Sequence, residues 1–370
     1  MFLDNASTTP LKQEAKDYIV SLLDAYQNPS STYQSGVDVK QIITTARKNI
    51  AKFINANPEN IIFTSGGSAS NTLAIKGFIG DTVNYSVLYS PIAHKSMLKC
   101  VESLHPYQCE KLKVDNNGFI DLDYLNNWVS HREYTKLLVA IDYANSEIGT
   151  VQNVKRIVKI VHKYKGYVYL DCTGSMSQIP MDVKTFDVDM VGFSAHKLGA
   201  LKGTGVLYKK SGIHLEPLIY GSQEQGLFSG TENVLGIASL GKVVENYDYS
   251  SISSENRDYV YDYIVKNISD TYLIGAPFEY RLPHNLYMCF KGVQGESLMI
   301  LLDMNGIQVS TGSACTSGDL QPSSTLTAIG IDKEDINSCI RMTFNGSETE
   351  DELNYFCEKL KECVKKLRNF

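Results

Sequence analysis

The sequence of 370 residues lacks the patterns that mark several classes of protein. Its formal net charge is −6, and its lysines and arginines form no cluster. We therefore expect no direct nucleic-acid binding, because neutralising several phosphates needs clustered cations. No apolar run approaches membrane-spanning length, and the N-terminus has neither the basic nor the apolar segment of an export signal. We therefore expect neither a membrane protein nor an exported one.

Cysteine pairs at the CxxC spacing of zinc sites and redox motifs are also missing. The eight cysteines are Cys100, Cys109, Cys172, Cys289, Cys315, Cys339, Cys357 and Cys363. A disulfide scaffold and a metal site are therefore not expected. Reduced thiols of this kind are typical of cytoplasmic proteins, so we predict a cytoplasmic location.

Short apolar runs alternate with amphipathic helical patterns over most of the chain. The predicted buried strands are residues 61–64, 85–89, 136–142, 167–171, 188–193 and 205–208. Such alternation predicts an α/β fold with a largely parallel sheet covered by helices on both faces.

The order of elements changes near residue 250. A long helix is predicted at residues 254–269, short strands near 285–291, 307–310 and 340–344, and further helices at 295–303 and 349–367. We therefore predict a large domain formed by residues 15–250 and a smaller α+β domain formed by residues 1–14 and 251–370. No internal repeat or low-complexity linker separates them, so the domains should pack together.

The chemistry is expected where predicted strands end. Lys197 follows one such strand through a turn of small residues, so its amine can be partly desolvated and act as a Schiff-base nucleophile. Asp171 ends another strand and could keep a pyridine nitrogen protonated, or simply cap the next segment. The turn at Gly67 and Ser68 opens a helix and suits an anion. It matches no Walker or dinucleotide fingerprint.

Four further residues stand in settings that suit catalysis or binding. His94 follows a strand and could act as an acid or base, or stack on a planar ring. Asn145 also lies just past a strand end. Cys315 lies among small and polar residues only, which favours an accessible thiol. Arg341 lies inside an apolar strand and needs a carboxylate partner, which a bound amino acid or an internal Asp or Glu could supply.

Together these motifs resemble those of cysteine desulfurases of the NifS/IscS type, members of the class V aminotransferase group of fold-type-I enzymes that use pyridoxal 5'-phosphate (PLP). The resemblance runs from about Leu3 to Leu367. Seven landmarks carry it, in order: Leu-Asp-Asn-Ala-Ser-Thr-Thr-Pro, Asn-Pro-Ser-Ser, Ile-Phe-Thr-Ser-Gly-Gly-Ser, Ala-Asn-Ser-Glu-Ile-Gly-Thr-Val-Gln, Phe-Ser-Ala-His-Lys, Ser-Gly-Thr at 229–231 and Ser-Thr-Gly-Ser-Ala-Cys-Thr-Ser. It implies a large domain with a mostly parallel seven-stranded sheet and a smaller α+β domain that carries the Cys315 loop.

The resemblance also implies roles for individual residues. Lys197 would bond covalently to PLP, Asp171 would pair with its ring nitrogen, and His94 would stack on the ring. Asn145 would bind near the ring oxygen and the substrate, and Arg341 would bind the substrate carboxylate. The residues implied to hold the cofactor phosphate are Gly67, Ser68, Ser194 and His196, with Thr231 reaching in from a second subunit of a homodimer.

The implied reaction converts L-cysteine into L-alanine. Cys315 would take the sulfur as a persulfide and pass it to an acceptor protein, for iron–sulfur cluster assembly, tRNA thiolation or cofactor synthesis. The alternatives are a selenocysteine lyase or another class V activity, and a PLP-binding or inactive homologue that acts as a partner protein.

Several positions differ from the family pattern near the predicted site. Gly174 replaces a glutamine that would reach the ring oxygen, and Ala69 replaces a glutamate. Gln225 and Phe228 stand where arginines are usual, and Tyr33 stands where histidine is usual. The absence of the two arginines and the histidine lowers the local positive charge. Gly174, Gln225 and Phe228 are the residues that suggest the non-enzymatic alternative.

Overall fold

The computed structural model describes residues 1–131, 133–311 and 323–369. Within these ranges the chain forms thirteen α-helices and ten strands. The helices are α1 (Gln13–Ser21), α2 (Gln34–Phe53), α3 (Gly67–Thr72), α4 (Lys95–Glu102), α5 (Leu122–Ser130), α6 (Val154–Lys163), α7 (Val183–Phe186), α8 (Val234–Glu245), α9 (Glu255–Asn267), α10 (Gly295–Asp303), α11 (Ser324–Ala328), α12 (Lys333–Ile336) and α13 (Glu350–Arg368). The strands are β1 (Ile61–Thr64), β2 (Tyr85–Tyr89), β3 (Cys109–Lys111), β4 (Lys136–Asp142), β5 (Tyr167–Asp171), β6 (Met190–Ser194), β7 (Gly205–Lys209), β8 (Thr271–Leu273), β9 (Asn285–Phe290) and β10 (Cys339–Thr343).

Seven of the strands in the described ranges form a large sheet with the order β1-β7-β6-β5-β4-β2-β3. Pairing is parallel from β6 through β3, and β7 runs antiparallel to both of its neighbours. Side chains of β4 alternate between two cores: Leu138 and Ala140 enter one, whereas Val139 and Ile141 enter the other. Because successive residues of a strand point to opposite faces, both faces of this sheet are covered. The predicted α/β class and the seven-stranded, mostly parallel sheet are confirmed.

The small sheet is antiparallel, with the order β10-β9-β8. Its core contains apolar residues of β9, β10, α9, α10 and α13 together with Leu3 from the N-terminus. The division into residues 15–250 and residues 1–14 with 251–370 stays a prediction, which these separate cores support. The predicted strand at 307–310 is wrong: Gln308 and Ser310 form only isolated bridges, to Phe2 and Arg341.

An N-terminal arm, residues 1–12, connects the two sheets. Leu3 donates a backbone hydrogen bond to Gln308, and its carbonyl accepts one from Thr343 of β10. Further along the arm, the backbone N–H groups of Thr9 and Lys12 donate to the carbonyls of His196 and Gly199, just after β6. The arm therefore connects the small sheet to the turn that carries Lys197. None of the described helices combines the length and apolarity needed to cross a membrane.

Candidate active site

The predicted site residues meet where the parallel strands of the large sheet end. Asp171 is the last residue of β5, and Lys197 ends the 3-10 turn Ala195–Lys197 that follows β6. His94 follows β2, and Gly67 opens α3 directly after β1. Because β1, β2, β5 and β6 share one direction, their carboxyl ends lie at one edge of the sheet, which is the usual ligand position in open α/β sheets.

Lys197 has the electrostatic setting of a nucleophilic amine. Its pKa is lowered to about 8, mainly by burial and to a smaller extent by the nearby Arg341 guanidinium. The carboxylates of Asp171 and Asp4 act in the opposite direction. A lysine with such a pKa is partly deprotonated near neutral pH, as attack on an aldehyde requires.

Asp171 is held in place by two hydrogen bonds. Its Oδ1 accepts from the backbone N–H of Thr173 at 2.8 Å, and its Oδ2 accepts from Nδ2 of Asn71 at 2.8 Å. Asn71, in α3, also donates to Oγ of Ser96 at 2.8 Å, so it connects Asp171 to the His94 turn. The sequence analysis did not identify Asn71, because nothing in its own helix shows which carboxylate it meets.

His94 forms the N-terminal cap of α4 and is exposed. Its Nδ1 lies 2.7 Å from Oγ of Ser96 and accepts a hydrogen bond from the Ser96 backbone N–H at 3.1 Å. Desolvation lowers the pKa of His94, and Asp171 opposes that effect. The ring is therefore mainly neutral at pH 7 and can stack on or exchange protons with a ligand.

Asn145 is buried, and its side chain forms hydrogen bonds to the neighbouring backbone. Its Nδ2 donates to the carbonyl of Ile92 at 2.6 Å, and its Oδ1 accepts from the N–H groups of Glu147 and Ile148, both at 2.9 Å. The side chain thus joins the segment after β4 to the turn before His94. Its predicted contact with a cofactor or substrate stays a prediction.

The region around Gly67 and Ser68 contains polar atoms suited to a phosphorylated ring. Among the described residues, the buried Oγ of Ser194 and Oγ1 of Thr173 have no hydrogen-bond partner. A Cβ added at Gly66 would meet nothing within 4 Å, so space is open beside this turn. Buried hydroxyl groups without partners are unusual unless a ligand or water satisfies them, so these residues fit a cofactor of the PLP type.

Two other residues predicted to bind phosphate are at least partly exposed. His196 is partly exposed, and its Nδ1 lies 3.0 Å from Oγ1 of Thr8 in the N-terminal arm. Burial lowers the pKa of His196 to about 4, so its ring is neutral at pH 7. Thr231 is exposed on the surface of the chain. Its exposure agrees with the prediction that it serves a second subunit.

Arg341 has an internal carboxylate partner. It is 8% exposed, and its Nη2 lies 2.6 Å from Oδ1 of Asp4 in the N-terminal arm. Its Nη1 donates to the carbonyl of Ser146 at 3.3 Å, whereas its buried Nε has no partner among the described residues. Asp4 is thus the internal carboxylate that could pair with Arg341, as the sequence analysis allowed. The Nε–H group of Arg341 remains available to a ligand.

Cys315 lies outside the described residues, so its predicted position stays a prediction. The described residues on either side of it are tied to the segment after β4. Tyr287 donates to the carbonyl of Thr311 at 2.9 Å, and Oγ of Ser323 donates to Oε1 of Glu147. Oη of Tyr287 also lies 3.4 Å from that Glu147 carboxylate. Ser323 directly and Thr311 through Tyr287 are thus connected to Glu147, which lies two residues after Asn145 in the sequence.

Comparison with known proteins identifies the family. The Aminotransferase class-V model matches residues 1–356. The chain belongs to the class V aminotransferase family. It is 38% identical to a cysteine desulfurase IscS of Dictyoglomus turgidum, over 100% of this chain and 95% of that protein. It is 35% identical to a cysteine desulfurase IscS of Methanosarcina thermophila, over 100% of this chain and 93% of that protein.

Solved structures agree with this family. A NifS-like protein superposes with a TM-score of 0.90 at 28% identity and covers 99% of both chains. A protein solved as SspA in complex with cysteine superposes with a TM-score of 0.82 at 26% identity, over 94% of this chain and 99% of that one. The resemblance to the NifS/IscS type that the sequence motifs indicated is confirmed.

Proposed function

We propose that this protein is a PLP-dependent cysteine desulfurase that acts as a homodimer in the cytoplasm. One observation carries the proposal: an amine with a pKa near 8, Lys197, lies at the same sheet edge as the hydrogen-bonded carboxylate of Asp171 and the neutral ring of His94. The identity of 38% and 35% over the whole chain to proteins named cysteine desulfurase supports L-cysteine as the substrate. The free state of the described cysteines agrees with a reducing compartment.

The residues at this edge would hold the cofactor from several sides. Lys197 would bond to the aldehyde, Asp171 to the ring nitrogen, and His94 would cover the ring. Gly67, Ser68, Ser194 and His196 would bind the phosphate, with Thr231 of a second subunit. When bound, PLP supplies an electron sink that makes the Cα proton of an amino acid labile.

The chain's own groups would then handle the substrate. The Arg341 guanidinium would bind the carboxylate of L-cysteine, with Asp4 limiting the excess positive charge at that point. The Lys197 amine has a pKa suited to accepting and returning a proton near neutral pH. The Cys315 thiolate would attack the substrate sulfur and form an S–S bond as the Cβ–S bond of the substrate breaks. The carbon fragment would keep the electron pair, take up a proton and leave as alanine, while the persulfide on Cys315 would pass to an acceptor protein.

The test is product analysis with purified protein and L-cysteine. We expect alanine and, with a reducing thiol, an equal amount of sulfide. Cys315→Ala should abolish both while the visible absorbance of the cofactor remains, and mass spectrometry should find one extra sulfur atom on Cys315 of the wild type. Cys109→Ala is the matched control, since Cys109 lies on β3 away from the site.

Other results would select another function. Products from selenocysteine but none from cysteine would indicate a selenocysteine lyase. A colourless protein that takes up no added PLP, with Lys197→Ala indistinguishable from the wild type, would leave only a non-catalytic partner protein. Unchanged sulfide release from Cys315→Ala would remove Cys315 from the mechanism.

A further inference from the structure

A second carboxyl group lies beside Asp171. Asp142 is the last residue of β4 and pairs in register with Asp171, the last residue of β5. Residues in register on neighbouring parallel strands are about 4.8 Å apart and project to the same face of the sheet. Both residues are buried, with 7% of Asp142 and 4% of Asp171 exposed.

The two carboxyl groups differ in their hydrogen bonds. Each oxygen of Asp171 accepts one, from Thr173 and from Asn71, both at 2.8 Å. In contrast, Oδ2 of Asp142 is buried and has no partner in the described parts of the chain. Negative charge on an unpartnered, desolvated oxygen is costly, and a second anion next to Asp171 adds repulsion. A single proton shared by such a pair is therefore favoured on Asp142.

We propose that Asp142 is a positioning residue that stays protonated beside an ionised Asp171, so that the pair presents one negative charge to the ligand and Asp142 anchors the His94 turn. The role toward the cofactor rests on the proposed function. The protonation of Asp142 rests on this chain's geometry alone.

The titratable groups around Asp142 are Asp171, Cys172 and Tyr169 from the β5 side, His94 after β2 and Lys197 after β6. Burial raises the pKa of Asp142 well above its usual range, and Asp171 on β5 raises it further. The backbone N–H of His94 and the side-chain amide of Asn145 act in the opposite direction as hydrogen-bond donors, and so does the charge of Lys197 after β6. The donation from His94 is also what connects Asp142 to the position of the imidazole.

Infrared spectroscopy of the cofactor-loaded protein at pH 7 tests the protonation directly. We expect a carboxylic-acid C=O band that shifts in D₂O and is missing in Asp142→Asn. Asp335→Asn is the control, because Asp335 is a buried carboxylate paired with Tyr272 at 2.8 Å and Lys291 at 3.3 Å. That variant should keep the band. The proposal would be overturned if the band remained in Asp142→Asn. It would likewise be overturned if the band disappeared in Asp171→Asn but not in Asp142→Asn.

Urea unfolding at two pH values provides a second readout. A carboxyl group whose pKa is raised in the folded state holds a proton that the unfolded chain has lost, so the stability it contributes falls as pH rises above about 4. The urea midpoint of the wild type should therefore fall, relative to that of Asp142→Asn, between about pH 5 and pH 8. Parallel midpoints would contradict a protonated Asp142.

The positioning role is tested by comparing Asp142→Asn with Asp142→Leu. Asparagine keeps an oxygen that can accept from the His94 N–H, whereas leucine has none. We expect the NMR signals of the His94 imidazole to stay close to wild type in Asp142→Asn and to shift in Asp142→Leu. Equal shifts in both would overturn the anchoring role. None of these readouts depends on cysteine turnover, so a protein without desulfurase activity could still pass them.

Discussion

The charge of the Lys197 amine depends on neighbours from distant parts of the chain. Burial and Arg341 lower its pKa, whereas the carboxylates of Asp171 and Asp4 raise it. These opposing effects leave the amine close to half protonated at slightly alkaline pH. Its reactivity is therefore adjustable by single substitutions that do not touch the lysine itself.

We expect the reaction of Lys197 with an aldehyde in the cofactor-free protein to rise with a midpoint near pH 8. Arg341→Gln should move this midpoint upward, because a cation that disfavours the protonated amine is removed. Asp171→Asn should move it downward, because an anion that favours the protonated amine is removed. Borohydride trapping followed by mass spectrometry measures the midpoint. Lys202→Ala, which changes an exposed lysine, is the control and should leave the midpoint unchanged. A wild-type midpoint near the usual lysine value of about 10.4 would contradict the prediction.

Gly174 is matched to the residue that faces it. A Cβ at position 174 would lie 2.8 Å from Cβ of Ser146 and 3.3 Å from its Cα. The glutamine that is usual in the family would therefore not fit here without a shift of the segment after β4. Ser146 also provides the carbonyl that Arg341 contacts, so such a shift would also move a hydrogen-bond partner of Arg341.

We expect Gly174→Ala to lower the free energy of unfolding by about 1–3 kcal/mol through overpacking. Adding Ser146→Gly should recover most of that loss, because the contacting Cβ is removed. Urea denaturation of both single variants and the double variant forms a complete cycle. Additive losses in the double variant would show that the Ser146 contact is not the cause.

At the scale of elements, the segment that leads to Thr231 is held by an ion pair between the buried Glu224 and the partly exposed Arg47. Glu224 adopts a positive φ of 47° and accepts two hydrogen bonds from Arg47 of α2, at 2.9 and 2.6 Å. It also accepts from the backbone N–H of Phe63 in β1 at 2.7 Å. Contacts to α2 and β1 thus hold the loop at Glu224 in a backbone conformation that is unfavourable for residues other than glycine.

We expect Glu224→Gln to cost about 1–3 kcal/mol, because it leaves the partly buried Arg47 guanidinium without its anion. The displaced loop should also weaken binding of PLP, measured by absorbance titration, if Thr231 serves a second subunit. Glu102→Gln is the control: its exposed pair with Lys99 should change stability by about 0.5 kcal/mol or less. Equal losses in the two variants would argue against the anchoring role of Glu224.

At the scale of the whole molecule, the N-terminal arm connects the small sheet to the turn that carries Lys197. Leu3 is fully buried in the core of the small sheet, and Asp4 next to it reaches Arg341. Thr9 and Lys12 then bind the backbone after β6. One short segment therefore couples the small-sheet core to the position and charge of Lys197.

We expect Leu3→Ala to lower the free energy of unfolding by about 2–5 kcal/mol, since it opens a cavity in a closed core. Loosening the arm also withdraws Asp4, so the pKa of Lys197 should fall further in this variant. Val20→Ala, which changes a side chain that is 66% exposed, should leave both quantities nearly unchanged. An unaltered Lys197 pKa in Leu3→Ala would show that the arm does not transmit the change.

Strands were predicted well where an apolar run is long and closed by polar or turn residues. The predicted ranges 61–64, 85–89, 136–142 and 167–171 coincide with β1, β2, β4 and β5. Sequence analysis missed β3 and β8, which are three residues each and contain polar positions, because their strand geometry depends on a neighbouring strand.

Local sequence was sufficient to place Lys197, Asp171 and His94 just after strands, and seven ordered motifs were sufficient to indicate the family. The partners of these residues could not be predicted in the same way. Asp4 and Arg341 are 337 residues apart in the chain, and Asn71 and Asp171 are 100 residues apart. Hydrophobic periodicity specifies which face of a strand is buried, but the polar contacts at its end depend on sheet order and register. Folding alone brings Asp142 beside Asp171, because β4 and β5 are neighbours that end at the same level.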